Sequence, residues 1–371
     1  MSHIAEPTAA DTTARTFYQG TPPLTGLYLY IAGGCNLACQ HCWITPQFLG
    51  DSSHTGPVLK LEYAEKAIRE AKPLGLNTVK LTGGEPTIHP QFRELVALIR
   101  REGLRVVMES NGMLIDDDLA AFLREQRTDF ISISLDGATP DTHDTMRGVK
   151  GSFERTVNGI RALVKVGYQP QVICSIHKGN IDEVPALLEM SEALGCGSLK
   201  LNIIQRVGRG DRFADQNGLS IERILEFNRY VEEELRHTTK LLIYLDVPPA
   251  FHSIRRLLDD SGRCAVLNIL GILSSGDVSM CGIGVNVPDL VYGHIATDNL
   301  ADIWKNHPGL QDLREKIPYR FEGICSTCIH NTRCFGKCVA NNYHMTGKLN
   351  DSHHFCQIAD ERGLFPQTRK S

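Results

Sequence analysis

Residues 27–42 read Leu27-Tyr28-Leu29-Tyr30-Ile31-Ala32-Gly33-Gly34-Cys35-Asn36-Leu37-Ala38-Cys39-Gln40-His41-Cys42. A β-rich run of six residues leads through paired glycines into three thiols spaced C-x3-C-x2-C. The reading of the whole chain turns on this junction. Downstream, the same strand-then-loop arrangement recurs. Short β-rich runs appear at Thr78–Thr82, Arg105–Glu109, Phe130–Leu135, Gln171–Ile176 and Leu199–Ile204. Between them, apolar residues take helical spacing over Leu61–Leu74, Pro90–Glu102, Asp116–Glu125, Ser152–Val166 and Ile181–Leu194, and a sixth helix follows at Ile221–His237. Six strands each followed by a helix predict a parallel sheet with right-handed crossovers. The unit is shorter than the roughly 250 residues of a complete eight-stranded barrel. An α/β fold of open, six-stranded partial-barrel type fits the count.

Twelve cysteines occur among 371 residues, about 3%, against the roughly 8–10% of disulfide-stapled secreted domains. With 42% hydrophobic and 22% charged residues, the chain can bury an ordinary core without covalent staples. Residues 1–34 lack a basic segment followed by an apolar one, so no signal peptide is read. The longest mainly apolar run, Cys264–Leu273, is far short of the roughly 18 residues a membrane span needs. The net charge of −4 is opposite to that of a dedicated nucleic-acid binder, and the Arg100-Arg101-Arg105 cluster reads as a solvated helix end. A cytoplasmic protein with no nucleic-acid or membrane partner is expected.

Five regions are expected: a polar N-terminal segment (1–23), the partial barrel (24–240), a linker (241–260) with a short helix at Phe251–Leu258, a cysteine-rich domain (261–360) and a tail (361–371). The boundary is set near Ser261. The cysteine-rich part carries few large apolar residues, so metal binding would contribute much of its stability.

The cysteines fall into three near residue 35, two isolated ones (Cys174 and Cys196) and seven between Cys264 and Cys356. In a β/α unit, the loop after a strand lies where active sites are built. Cys35, Cys39 and Cys42 can hold three irons of a [4Fe–4S] cube and leave one iron open for another ligand. A zinc site completed by His41, or a chance grouping, are the other readings. The seven C-terminal thiols run Cys264-x16-Cys281, then Cys325-x2-Cys328-x5-Cys334-x3-Cys338-x17-Cys356. Seven exceed what one metal uses. Two iron–sulfur clusters or two zinc sites both satisfy this spacing.

The first motif resembles the C-x3-C-x-φ-C signature of radical S-adenosylmethionine (SAM) enzymes, with His41 at the φ position. Gly83-Gly84-Glu85-Pro86, after the second strand, is similar to the motif with which that family binds the methionine amino group of SAM. Paired glycines let backbone approach a ligand, and a carboxylate can accept bonds from an ammonium. The resemblance further implies that Ser134 and Arg147 contact the ribose or carboxylate of SAM, an arginine fork being suited to a carboxylate. Asn111 is a weaker candidate of the same kind. The seven C-terminal cysteines resemble the SPASM extension, which holds two auxiliary clusters. The resemblance implies Cys325, Cys328, Cys334 and Cys356 for the outer cluster, and Cys264, Cys281 and Cys338 for the inner one. The inner set is one cysteine short. Its fourth ligand would be another residue, a bound substrate or nothing; the nearby His294, His330, His344, His353 and His354 could include it.

This resemblance implies three [4Fe–4S] clusters, SAM as cofactor and a reductant such as flavodoxin or ferredoxin. Reductive cleavage of SAM would give a 5′-deoxyadenosyl radical that takes hydrogen from an unactivated C–H bond. SPASM enzymes mostly modify peptides, so maturation of a ribosomally made peptide by crosslinking, epimerisation or excision leads the expectations. Tetrapyrrole tailoring is the second reading, and a non-catalytic iron–sulfur electron carrier the third; a SAM site argues against the last. Two subfamilies are weakened by departures: Gly282 stands where anaerobic sulfatase maturases carry an aspartate, and Cys334 where the pyrroloquinoline quinone enzyme does. With 34 residues before Cys35, a separate leader-binding protein is expected for a peptide substrate. No side chain is singled out as a catalytic acid, base or nucleophile. Cys174, read as facing the barrel interior, is weighed as a hydrogen donor against a plain buried thiol. Cys196 is read as a loop residue.

Overall fold

The computed structural model describes residues 20–50, 56–259 and 264–371. Its centre is one sheet in which β1 (Gly26–Ala32), β2 (Thr78–Gly83), β3 (Arg105–Ser110), β4 (Phe130–Ser134), β5 (Gln171–Ile176) and β6 (Ser198–Ile203) lie side by side in chain order, all parallel. The crossovers run through α1 (Leu61–Ala71), α2 (Phe92–Arg101), α3 (Asp117–Glu125), α4 (Pro140–Arg147), α5 (Ser152–Lys165), α6 (Val184–Ala193), α7 (Arg209–Asn217) and α8 (Ile221–Glu233). The six expected strands are present within a residue or two at each end.

Local chemistry accounts for the helix starts. Asp116 accepts the backbone N–H of Leu119, Ser220 that of Arg223, and Thr139 that of Thr142 ahead of Pro140 in the first turn. Gly148 closes α4 in the left-handed region at φ 71°. α4 and α7 were not expected. Both are short and polar, with Asp and Thr or Arg and Gln in place of an apolar stripe, so periodicity could not reveal them.

The period-2 alternation sorts the sheet into two faces. Leu27, Leu29, Val79, Leu81, Val106, Met108, Val172 and Leu199 are fully buried under the helices. Tyr28, Lys80, Glu109, Ser134, Lys200 and Tyr244 lie on the other, interior face and are half-buried. Polar side chains on that concave face mark a lined space and not a packed core. Cys174 is in register with Leu201 and shares the apolar helix-facing side with Val172 and Ile176. It does not face the interior, and this removes the basis for a hydrogen-donor role. Cys196 is likewise buried.

Both sheet edges extend beyond the six-stranded count. β7 (Leu242–Leu245) adds in parallel to β6, within the stretch expected as a linker. Its four residues were too short a run to stand out. At the opposite edge β8 (Ile269–Ile272) pairs in parallel with β1, followed by the antiparallel β9 (Asp277–Ser279) and β10 (Val291–His294). The cysteine-rich segment is therefore joined to the barrel by its sheet. The expected boundary near Ser261, and residues 1–19 of the expected N-terminal segment, lie outside the described residues. The last residues are not a loose tail: Ser371 N–H donates to the Thr327 carbonyl at 2.7 Å and Ile329 N–H to that of Arg369 at 3.0 Å. These bonds tie the C terminus to the loop bearing Cys325 and Cys328.

Candidate active site and thiol centres

The C-terminal ends of β1 to β4 bring the first thiols, the glycine pair and the polar strand ends to one place. Cys35, Cys39 and Cys42 pack in one small cluster with Leu37, Met113 and Val149. Their loop is fixed from two sides. Ala38 and Gln40 N–H groups donate to the carbonyls of Arg147 and Met146, both at 3.0 Å, and the Arg209 N–H donates to the Cys42 carbonyl at 3.1 Å. The polar helices α4 and α7 thus hold the loop at their ends. Burial raises the Cys35 and Cys39 thiols; a bound metal would draw them to the thiolate form.

Gly83 and Gly84 sit against this loop. Gly83 has φ 128°, and a Cβ on Gly84 would lie 1.9 Å from the Gly34 carbonyl oxygen. Only glycine permits so close an approach of the two loops. Glu85 is fully buried and already engaged. Its carboxylate accepts from Ser110 Oγ at 2.8 Å, the Asn111 N–H at 2.7 Å, and the Thr87 N–H and hydroxyl at 3.1 and 2.5 Å. The carboxylate expected to accept from an ammonium is thus a clamp between the ends of β2 and β3. Asn111 is buried too. Its amide donates to Asn36 Oδ1 at 2.7 Å and stands 3.9 Å from Cys35 Sγ.

Ser134 ends β4 on the interior face, with no side-chain partner among the described residues. Arg147 is a buried residue, not a surface one. Its Nε lies 2.7 Å from Asp136 Oδ2 and its Nη1 donates to Cys39 Sγ at 3.5 Å. Burial alone would raise the Asp136 carboxyl, but Arg147 and then His41 hold it below the usual carboxylate range. Asp136 Oδ1 also accepts the Ser175 N–H at 2.8 Å, so one carboxylate joins β4, β5, α4 and the thiol loop. Burial lowers His41 and His143 to about 4, so both are neutral near pH 7. A lone aspartate after a strand carries no signal until Arg147 is seen beside it.

The seven C-terminal thiols form two groups. Cys325, Cys328, Cys334 and Cys356 surround one small cavity, and the Cys356 thiol is raised by burial and then by Cys325, Cys334 and Cys328. Cys264 and Cys281 flank the β8–β9 hairpin and meet Cys338, at the start of helix Val339–Thr346. Burial and then Cys338 push Cys264 up to about 12 and raise Cys281. All twelve cysteines are free thiols. Among the described residues no three His, Cys, Asp or Glu side chains converge tightly enough for a single metal ion. Sets of four and three thiols suit iron–sulfur clusters, and four thiols also suit tetrahedral zinc. At Gly282 a Cβ would lie 2.2 Å from the Tyr30 ring, so an aspartate cannot stand there unless Tyr30 moves.

Of the five histidines considered, His353 lines both the small cavity and a larger one beside Cys264 and Cys338. His330 lines only the small one. His294 is engaged with the Ser275 carbonyl, and His344 and His354 are exposed. The larger cavity, about 690 Å³, runs from Ile203–Arg206 and α7, beside the first thiol loop, to the inner thiols. No helix among the described residues is long and apolar enough to cross a membrane.

Comparison with known proteins agrees with this arrangement. Residues 29–190 match the Radical SAM superfamily and residues 264–329 the SPASM iron–sulfur cluster-binding domain. The chain is 29% identical over 344 residues to an AdoMet-dependent heme synthase of Methanosarcina barkeri, covering 88% of this chain and 94% of that one. It is also 29% identical over 323 residues to the mycofactocin maturase MftC of Mycobacterium ulcerans, covering 83% and 81%. In fold it resembles Streptococcus suis SuiB bound to precursor peptide SuiA, with TM-score 0.73, 18% identity, and 91% and 76% of the two chains covered. A second such likeness is to anSMEcpe with bound AdoMet and a peptide, with TM-score 0.69, 19% identity, and 92% and 95% covered.

Proposed function

This chain is a radical SAM enzyme with a SPASM domain, and from that premise we propose that it matures a ribosomally made peptide in the cytoplasm. Under this reading Cys35, Cys39 and Cys42 hold the cluster that binds SAM. Cys325, Cys328, Cys334 and Cys356 hold an outer auxiliary cluster, and Cys264, Cys281 and Cys338 an inner one. That makes three [4Fe–4S] clusters. When bound, the first cluster and SAM supply the radical that removes hydrogen from the substrate. The residues of the chain position and shield it. The Gly83 and Gly84 backbone receives the SAM amine, Ser134 offers an unpaired hydroxyl to the ribose or carboxylate, and Arg147 fixes Cys39 with its remaining donor toward the SAM carboxylate. A flavodoxin or ferredoxin supplies the electron, and a separate small protein presents the leader.

The observation that carries the reading is the cavity of about 690 Å³, lined from Ile203–Arg206 and α7 to the inner thiols Cys264 and Cys338, a volume in the range of substrate-binding clefts. The similarity to the mycofactocin maturase supports a peptide. Tetrapyrrole tailoring is the second reading, because the heme synthase of M. barkeri has the same 29% identity over a longer stretch, 344 residues against 323. Anaerobic incubation with SAM, reductant and either the precursor peptide encoded beside the gene or an iron tetrapyrrole separates the two. A mass change in the peptide with 5′-deoxyadenosine release supports maturation. A change in the tetrapyrrole alone rejects it.

A further inference from the structure

Five cationic side chains of Lys and Arg line the large cavity, and four of them are matched. Lys178 donates to the Gln216 carbonyl at 3.0 Å, Arg206 pairs with Asp215 at 2.6 Å, Lys337 with Asp246 at 2.7 Å, and Arg362 with Glu222 at 2.8 Å. Lys200 is the fifth, and it has no hydrogen-bond or ion-pair partner among the described residues. It sits on β6 between Ile173 and Tyr244, on the interior face, half-buried.

Neighbouring charges leave it in surplus. Glu109 and Asp246 both feel Lys200, but each is bonded to a different lysine, Glu109 to Lys80 at 2.6 Å and Asp246 to Lys337. Of the three lysines there, Lys80 and Lys337 are bonded to a carboxylate, and Lys200 is bonded to neither. An ammonium on a cavity wall that is bonded to no protein group is free to take an anion that arrives with the ligand. On the same wall, Asn341 Oδ1 and His353 Nδ1 are buried without partners, which leaves polar positions for the rest of such a ligand.

We propose that Lys200 seats a carboxylate of the substrate beside the inner thiol group. The inference rests on the reading that the cavity receives the substrate, and it specifies the chemistry of that substrate: an acidic side chain or C terminus of a peptide, or a propionate of a tetrapyrrole. The test uses iron-loaded Lys200→Met and Lys200→Arg. One arm is the precursor peptide, with each Asp and Glu changed to its amide and with an amidated C terminus. The other arm is an iron tetrapyrrole and its methyl ester. On whichever probe the parent enzyme turns over, Lys200→Met raises KM about 10–100-fold, the loss expected for one charged hydrogen bond. Lys200→Arg keeps most of the affinity. Removing the seated carboxylate from the substrate costs the parent the same factor and costs Lys200→Met nothing further. Iron content of Lys200→Met equal to the parent's separates loss of the seat from loss of a cluster. An unchanged KM in Lys200→Met, or losses that multiply when protein and substrate are both altered, overturns the proposal. Turnover of the tetrapyrrole and not the peptide rejects peptide maturation while the carboxylate seat is still measured on that probe.

Discussion

Substituting Asp136 by Asn removes one charge from the buried pair that holds the first thiol loop. At the 2.7 Å separation from Arg147 Nε, with an effective dielectric near 20, the attraction is about 6 kcal/mol. Desolvation of both partners cancels part of this, and breaking one partner of a buried pair costs about 3–5 kcal/mol. The Asn can still accept from Ser175, but its NH2 would face the guanidinium, donor against donor. Arg147 would then be an unpaired buried cation next to Cys39. For a chain of this size the thermal midpoint should fall by about 4–6 °C, and the loop should lose its hold on Cys39. Anaerobic thermal unfolding and iron analysis read both effects. Because the two residues act as a unit, the apolar double variant Asp136→Leu/Arg147→Met should be less damaged than Arg147→Met alone. A midpoint within about 1 °C (about 0.8 kcal/mol) of the parent for Asp136→Asn, or a double variant showing the full sum of both losses, would refute the pairing as the basis of the loop's order.

Three other outcomes follow from the same geometry. Gly84→Ala forces a Cβ into the Gly34 carbonyl oxygen at 1.9 Å, so SAM binding and first-site iron should be lost while C-terminal iron stays; normal SAM affinity would contradict this. Cys174→Ala should cost about 1 kcal/mol in stability for a small buried side chain and leave product formation intact, since the thiol faces helices; loss of product or of solvent-deuterium uptake would reinstate it as a hydrogen donor. His41 and His143 are held near 4 against an ordinary 6.5. The unfolded chain therefore takes up protons below about 6.5 that the folded chain refuses until about 4. Stability is fully present above that range and falls with pH, by about 2 kcal/mol per histidine at pH 5. A urea midpoint at pH 5 equal to that at pH 7.5 would be the wrong result.

Long apolar alternation made the strands from β1 to β6 legible, because period-2 burial under helices leaves a repeating trace in Leu, Val and Ile. The thiol spacings were legible for a different reason: a cluster constrains residue type and short-range separation, both of which survive in one dimension. What escaped is what depends on residues far apart in the chain meeting in space. Nothing in the run Leu242–Leu245 states that it completes an edge, and nothing in Ile269–Ile272 that it returns to pair with Gly26–Leu29. The face taken by Cys174 was open in the sequence, because alternation fixes which residues share a side and not which side meets the helices; of the two readings, the plain buried thiol is the one found. Glu85 and Arg147 were read as ligand contacts from their motifs. Their burial and their partners Ser110, Asn111, Asp136 and Cys39 became visible only in three dimensions. Lys200 had no motif at all; its meaning comes from the four other cations of the cavity wall being matched.

The central claim is that ten thiols in three groups make this a SAM-cleaving enzyme with three iron–sulfur cubes. Iron and acid-labile sulfide of the anaerobically purified protein, measured together with 5′-deoxyadenosine released on reduction with SAM, test it most directly. The account predicts about twelve irons and twelve sulfides per chain, with 5′-deoxyadenosine abolished by loss of Cys35, Cys39 or Cys42. Zinc without labile sulfide at the C-terminal thiols, or 5′-deoxyadenosine released undiminished from a Cys39→Ala variant, would contradict it.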